Sequence, residues 1–172
     1  MEIKVAFYKG RGDLFNKIVK WWTKSPYSHV ELILPDDVTW IRIGPFSSSK
    51  LCAIKKEKWD PKNWDFVTLK VTQQQLETIK EFFERTKGCK YDWWGMILSH
   101  LMPFKIKRRG RWYCSEWIAH ALRVSRVIDW RVARIFERVK ISPATLYDIV
   151  SIKWNSKLIN EYIMHNSQKL RI

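Results

Sequence analysis

Cysteine is scarce in this sequence: Cys52, Cys89 and Cys114 are all it has, an odd number with no CxxC spacing. That argues against a disulfide framework and against a zinc ribbon or finger. At least one thiol is left free, which fits a reducing compartment. Glycine and proline are few, 6 of each in 172 residues, and 46% of the chain is hydrophobic, so neither a disordered nor a fibrous protein is expected. Long apolar runs are missing too. The longest apolar stretch, YDWWGMILSHLMPF, contains Asp92 and His100 and is too short to span a bilayer. The amino terminus, MEIKVAFYKG, carries charge where a secretion signal needs an apolar core. The expectation is a cytoplasmic protein without a transmembrane segment, with association at a membrane surface left open. A compact basic chain without a signal fits a bacterial or bacteriophage product.

Acidic residues are outnumbered, 17 Asp and Glu against 32 Lys and Arg, for a net charge of +15. Such a field attracts polyanions: nucleic acid, anionic lipid headgroups or acidic cell-wall polymers. Eleven Trp is an unusually large number. Indole rings bury much apolar area yet need a partner for the N–H, so they suit cores, clefts and membrane interfaces alike. The length suits one domain, 1–172, and weak periodicity over 152–172 reads as a carboxy-terminal extension.

Periodicity divides the chain into short elements. Residues 3–9 alternate as a strand. Residues 13–24 space Leu14, Ile18, Trp21 and Trp22 along one helical face, with Asp13 as cap and Pro26 ending the run. HVELIL (29–34) is a strand with His29 and Glu31 on one face and Val30 and Leu32 on the other. Further strands are expected at 38–43, 51–56 and 64–71. A helix follows Thr72, with Gln75 completing a capping box and Gly88 as terminator. Helices are also expected in DWWGMILSHL, in SEWIAHALRV (115–124), and in SPATLYDIV (142–150), where Ser142 caps and Pro143 takes the first turn. The pattern predicts an α+β domain, a small antiparallel sheet packed against helices.

Cys114, in RWYCSEW, sits at the start of the helix over 115–124. Free N–H groups of a first turn, that of Ser115 among them, favour a thiolate and are placed to stabilise an oxyanion. Arg111 acts in the same direction. Position alone is a weak signal, because free cysteines are commonly buried and inert. Of four histidines, His29 opens a strand at a sheet end, where a side chain faces a cleft. His120 points away from Cys114 on the same helix, and His100 and His165 read as structural or solvated. Glu31 shares the His29 face at roughly 6–7 Å along the strand and suits the third member of a triad. Ser47, Ser48 and Ser49 are alternative orienting groups.

SHVEL, then YDWWG, then WYCSEW resembles the circularly permuted branch of the NlpC-type, papain-like cysteine peptidase superfamily, in which the histidine strand precedes the cysteine helix. The pattern spans residues 5 to 150, and ISPATLYDIV is similar to the family's Pro-containing helix after the nucleophile. The resemblance implies a permuted papain-like fold, Cys114 as nucleophile, His29 as base, and Tyr91 lining the oxyanion site. The family's third polar residue sits on the strand after the histidine. The comparable stretch here, TWIRIG, offers only Thr39 and Arg42 beside apolar residues, so Glu31 is the substitute. The implied reaction is acyl transfer by a hydrolase, with no metal or organic cofactor, on cell-wall peptides or on lipid esters and amides.

KIKRRGR (105–111) carries Lys105, Lys107, Arg108, Arg109 and Arg111 directly before Cys114. A solvated loop and a device steering an anionic substrate both fit such a run. Arg123, Arg126, Arg131, Arg134 and Arg138 extend the same sign. The expectation is therefore a cysteine amidase or peptidase. A non-enzymatic nucleic-acid binder using charge and Trp ranks second, and an acyltransferase or lipase of the same fold at anionic membranes is a third reading.

Overall fold

The computed structural model describes residues 1–11, 14–44, 50–56, 58–93, 95–96, 110–129, 132–133 and 141–151. Five strands form an antiparallel sheet: β1 (Glu2–Tyr8), β2 (His29–Ile33), β3 (Thr39–Arg42), β4 (Cys52–Lys55) and β5 (Trp64–Lys70). Their spatial order is β4-β3-β2-β1-β5. The first strand is therefore interior, with Tyr8 opposite both His29 and Trp64. Helix α1 (Leu14–Thr23) joins β1 to β2, and α2 (Gln73–Thr86) follows β5. Two-residue strands β6 (Lys90–Tyr91) and β7 (Arg111–Trp112) pair in parallel, and α3 (Cys114–Val124) and α4 (Pro143–Ser151) complete the described elements. This is an α+β architecture with an antiparallel sheet, as the periodicity predicts.

Local chemistry explains the boundaries. Thr72 Oγ1 accepts from the Gln75 N–H at 3.2 Å while the Gln75 side chain accepts from the Thr72 N–H at 3.0 Å, the expected capping box. Gly88, at φ +80°, turns the chain out of α2. Ser142 Oγ accepts from the Thr145 N–H at 3.1 Å, and Pro143 opens α4. Lys24 at φ +49° ends α1 before Pro26. Asp13, most of DWWGMILSHL and residues 152–172 lie outside the described residues.

The sheet carries an apolar cluster on each face. Ile3, Val5, Phe7, Val30, Leu32 and Ile41 meet the helices in the main core. Ala6, Ile33, Trp40 and Trp64 form a second cluster on the reverse face, joined by Tyr8, Ile54 and Phe66. Within β1 the run Val5-Ala6-Phe7 is buried on both sides of the sheet, each residue 0% exposed, as an interior strand requires. Between α2 and α3 the packing is aromatic: Phe82 stacks on Trp117 at 5.5 Å, and Trp117 Nε1 donates to Thr86 Oγ1 at 2.9 Å. That indole is buried with its donor satisfied, which fixes how α3 lies against α2.

Candidate active site

Cys114 is the first residue of α3, and α3 packs on β2. The N-cap, Tyr113, makes no side-chain cap bond. The Ser115 N–H instead bonds the Cys114 sulfur, and so does the Val30 N–H. The second donor is available because β2 and β3 pair only from Leu32 onward, leaving Val30 N–H unclaimed by the neighbouring strand. Two backbone dipoles thus converge on one sulfur.

His29 opens β2 and hydrogen-bonds the same sulfur. Its Nε2 lies 3.3 Å from Glu31 Oε1, which leaves Nδ1 to serve the thiol. Burial by itself disfavours both charges. The His29 charge and hydrogen bond nonetheless carry the Cys114 thiol below its ordinary value. Against the same burial, the Cys114 charge and hydrogen bond, then Glu31, push His29 up to about 10. Each charge favours the other, the direction of shift that activates a cysteine toward the thiolate.

Glu31 is 3% exposed, and burial would raise its carboxyl. The His29 hydrogen bond and charge, then Lys56 and Arg42, overcome burial and hold it below the usual carboxylate range. Lys56 Nζ stands 3.6 Å from Oε2, and Arg42 Nε 4.0 Å from Oε1. The Lys56 ammonium also lies over the Trp40 and Trp64 rings, 4.1 and 4.4 Å from their centres. Burial lowers the Lys56 pKa, a second sign that this charge is partly desolvated. Sequence reasoning did not single out Lys56. Its only signal is a place two residues after Ile54, on the same face of β4, and reading that requires the β3–β4 register.

Tyr91 is buried, and its hydroxyl donates to Met96 Sδ at 3.1 Å. Burial and then the Cys114 charge raise its pKa, so the phenol stays protonated beside the sulfur. Ser115 joins the site through its main chain alone, because its hydroxyl donates to the Ile141 carbonyl at 2.5 Å and ties α3 to α4. Arg111 Nη1 donates to the Tyr91 carbonyl at 3.4 Å, across the β6–β7 pair. Lys105, Lys107, Arg108 and Arg109 lie outside the described residues, as do Ser47–Ser49, His100, His165, Arg131, Arg134 and Arg138. His120 packs between Phe82 and Trp112, away from the sulfur. Arg123 lies in the last turn of α3, roughly 13 Å along the helix from Cys114. Cys52 and Cys89 are half-buried and stand outside this arrangement. Among the described residues, no helix is long and apolar enough to cross a membrane.

Comparison with protein-family models, with curated proteins and with solved structures finds no match.

Proposed function

We propose that the chain is a cysteine hydrolase of the permuted NlpC-type, papain-like kind, cleaving an amide or ester by thiolate acyl transfer. The observation that carries this reading is one contact chain: the Cys114 sulfur at a helix start, the His29 imidazole bonded to it, and a buried Glu31 carboxylate 3.3 Å from Nε2. Each link has a chemical use. The thiolate attacks the substrate carbonyl carbon, forming a C–S bond and a tetrahedral oxyanion. The Ser115 N–H and the helix dipole face the developing charge, beside the protonated Tyr91. His29 gives its proton to the leaving amine or alkoxide as that bond breaks, leaving a thioester. It then takes a proton from water, which attacks the thioester and restores the thiolate with release of a carboxylic acid. Glu31 holds the imidazole tautomer and offsets its positive charge.

The net charge of +15 and the basic approach to Cys114 favour an anionic substrate, a cell-wall peptide above all. The test is selective alkylation. Iodoacetamide is expected to modify Cys114 ahead of Cys52 and Cys89 at a pH below the ordinary thiol range, and Cys114→Ala to remove that fast phase and any murein-peptide hydrolysis. Equal labelling of the three thiols, or reaction of Cys114 only after unfolding, sinks the proposal.

A further inference from the structure

Helix α1 turns apolar side chains outward. Leu14, Ile18 and Trp21 are 73%, 46% and 81% exposed, and their spacing of four and three residues sets them on one face. Among the helix residues whose burial is described, Val19 is the buried one. A four-fifths-exposed Trp in line with two exposed aliphatics is a patch of the kind that marks an interaction surface. Lys17, on the same side, is exposed, as are Arg11 before the helix and Lys24 after it. No acidic residue occurs within Leu14–Thr23. Lys20 is used differently: its ammonium donates to the Lys9 carbonyl at 2.7 Å and to that of Gly10, anchoring α1 to the end of β1. The Ser28 N–H bonds the Tyr8 carbonyl at 3.0 Å, so the far end of the α1 connection returns to the same sheet end, where His29 begins β2.

We infer that α1 seats the protein on an anionic phospholipid bilayer, with Leu14, Ile18 and Trp21 in the interface and Lys17, Lys24 and Arg11 against the headgroups. An apolar stripe edged by cations is the composition of interfacial helices, and Trp favours the headgroup boundary. The net charge of +15 adds long-range attraction to anionic lipid. It also opposes a second copy of the chain as the occupant. Nucleic acid fits less well, because single strands need aromatic platforms for stacking and two of the three stripe residues are aliphatic. The inference goes beyond the hydrolase proposal and holds whether or not Cys114 is a nucleophile.

Co-sedimentation with vesicles tests it. The full chain is expected to pellet with phosphatidylglycerol–phosphatidylcholine vesicles, less so as salt rises, and weakly with phosphatidylcholine alone. The double variant Ile18→Glu, Trp21→Glu is expected to lose at least about tenfold in partitioning. Lys17→Glu, which leaves the stripe intact, should lose severalfold on the anionic vesicles only. Cys114→Ala should bind as the parent does, which separates this surface from the chemistry. Exposed positions leave the unfolding midpoint near that of the parent, a control for both stripe variants. Parent protein that ignores phosphatidylglycerol vesicles overturns the inference. So does a double variant that binds them undiminished, or a stripe needed for single-stranded DNA rather than vesicles.

Discussion

The two faces of β2 are both buried, yet they are built from opposite chemistry. Toward the helices, Val30 and Leu32 are 1% and 0% exposed in a dry core under α3. Toward the reverse face, His29 and Glu31 alternate with them, and Glu31 is buried beside two cations, of which Lys56 lies over the rings of Trp40 and Trp64. A buried carboxylate costs several kcal/mol to desolvate unless partners compensate, and it is a weak source of net stability even then. Oε2 has no hydrogen-bond partner among the described residues, so the compensation is charge from Lys56 at 3.6 Å rather than a full set of bonds. The apolar face holds the strand in place. The polar face adds the Glu31 hydrogen bond and charge to the larger Cys114 influence that raises His29. One five-residue strand thus separates apolar packing from ionisable side chains by a period of two.

That separation can be broken with single substitutions. Leu32→Ala empties a fully buried site and is expected to cost about 2–5 kcal/mol of unfolding free energy, measured by urea titration. The alkylation rate of Cys114 in the remaining folded protein should be unchanged. A loss of thiol reactivity at unchanged stability would mean that the dry face also tunes the site.

Glu31→Gln is the complementary change and ranks next in size. The amide keeps the shape but removes the charge that supports the imidazolium, so His29 titrates lower and less thiolate forms. Alkylation of Cys114 near neutral pH is expected to slow on the order of tenfold to a hundredfold, with any hydrolysis falling alongside. The cost in stability should be smaller than that of Leu32→Ala, because Lys56 and Arg42 keep side-chain exposures of 22% and 21% and can turn to water. Full reactivity in Glu31→Gln would remove Glu31 from the site.

His29 itself offers a direct reading of the ion pair. In Cys114→Ala the sulfur that does most to raise the imidazole is gone, while burial still lowers it. The His29 titration, followed by NMR, is expected to drop from about 10 toward the ordinary histidine range. The sign for stability follows. The raised His29 contributes stability that fades as pH climbs from its unfolded value of 6.5 toward 10, while the lowered Cys114 contributes stability that grows up to its unfolded value of 9.0. The two offset between 6.5 and 9.0, and the pair's stability is expected to fall only above that, as His29 titrates.

How much of this was legible depended on the range of each interaction. The strand over 29–33 and the shared face of His29 and Glu31 follow from alternation between SPYS and PDD, because period two is a local property. The caps at Thr72 and Ser142 are local in the same way. The contact between Cys114 and His29 spans 85 positions and depends on α3 docking on β2, which spacing does not encode. Only the resemblance of SHVEL and WYCSEW to a known pattern suggested it. Lys56 escaped notice because its place beside Glu31 needs the pairing of Trp40 with Ile54 across β3 and β4. For α1, periodicity identifies a stripe but not its direction. Leu14, Ile18 and Trp21 read equally well as core, and they face outward.

Lys56→Met gives the smallest and most specific test of the polar face. Met fills the space between Trp40 and Trp64 while deleting one positive charge near Glu31. Near neutral pH the unfolding free energy should stay within about 1 kcal/mol, since the lost attraction is offset by no longer desolvating an ammonium. The pH dependence, however, should change. Glu31's depressed carboxyl contributes stability that is present above its unfolded value of 4.5 and is lost as pH falls through the lower folded value. Without Lys56 the folded value moves up toward the ordinary one, the window narrows, and acid unfolding begins at higher pH. Fluorescence-monitored acid titration of both proteins measures that shift. An identical acid midpoint would show that His29 and Arg42 suffice to hold Glu31 ionised, and that the caged lysine is packing rather than electrostatics.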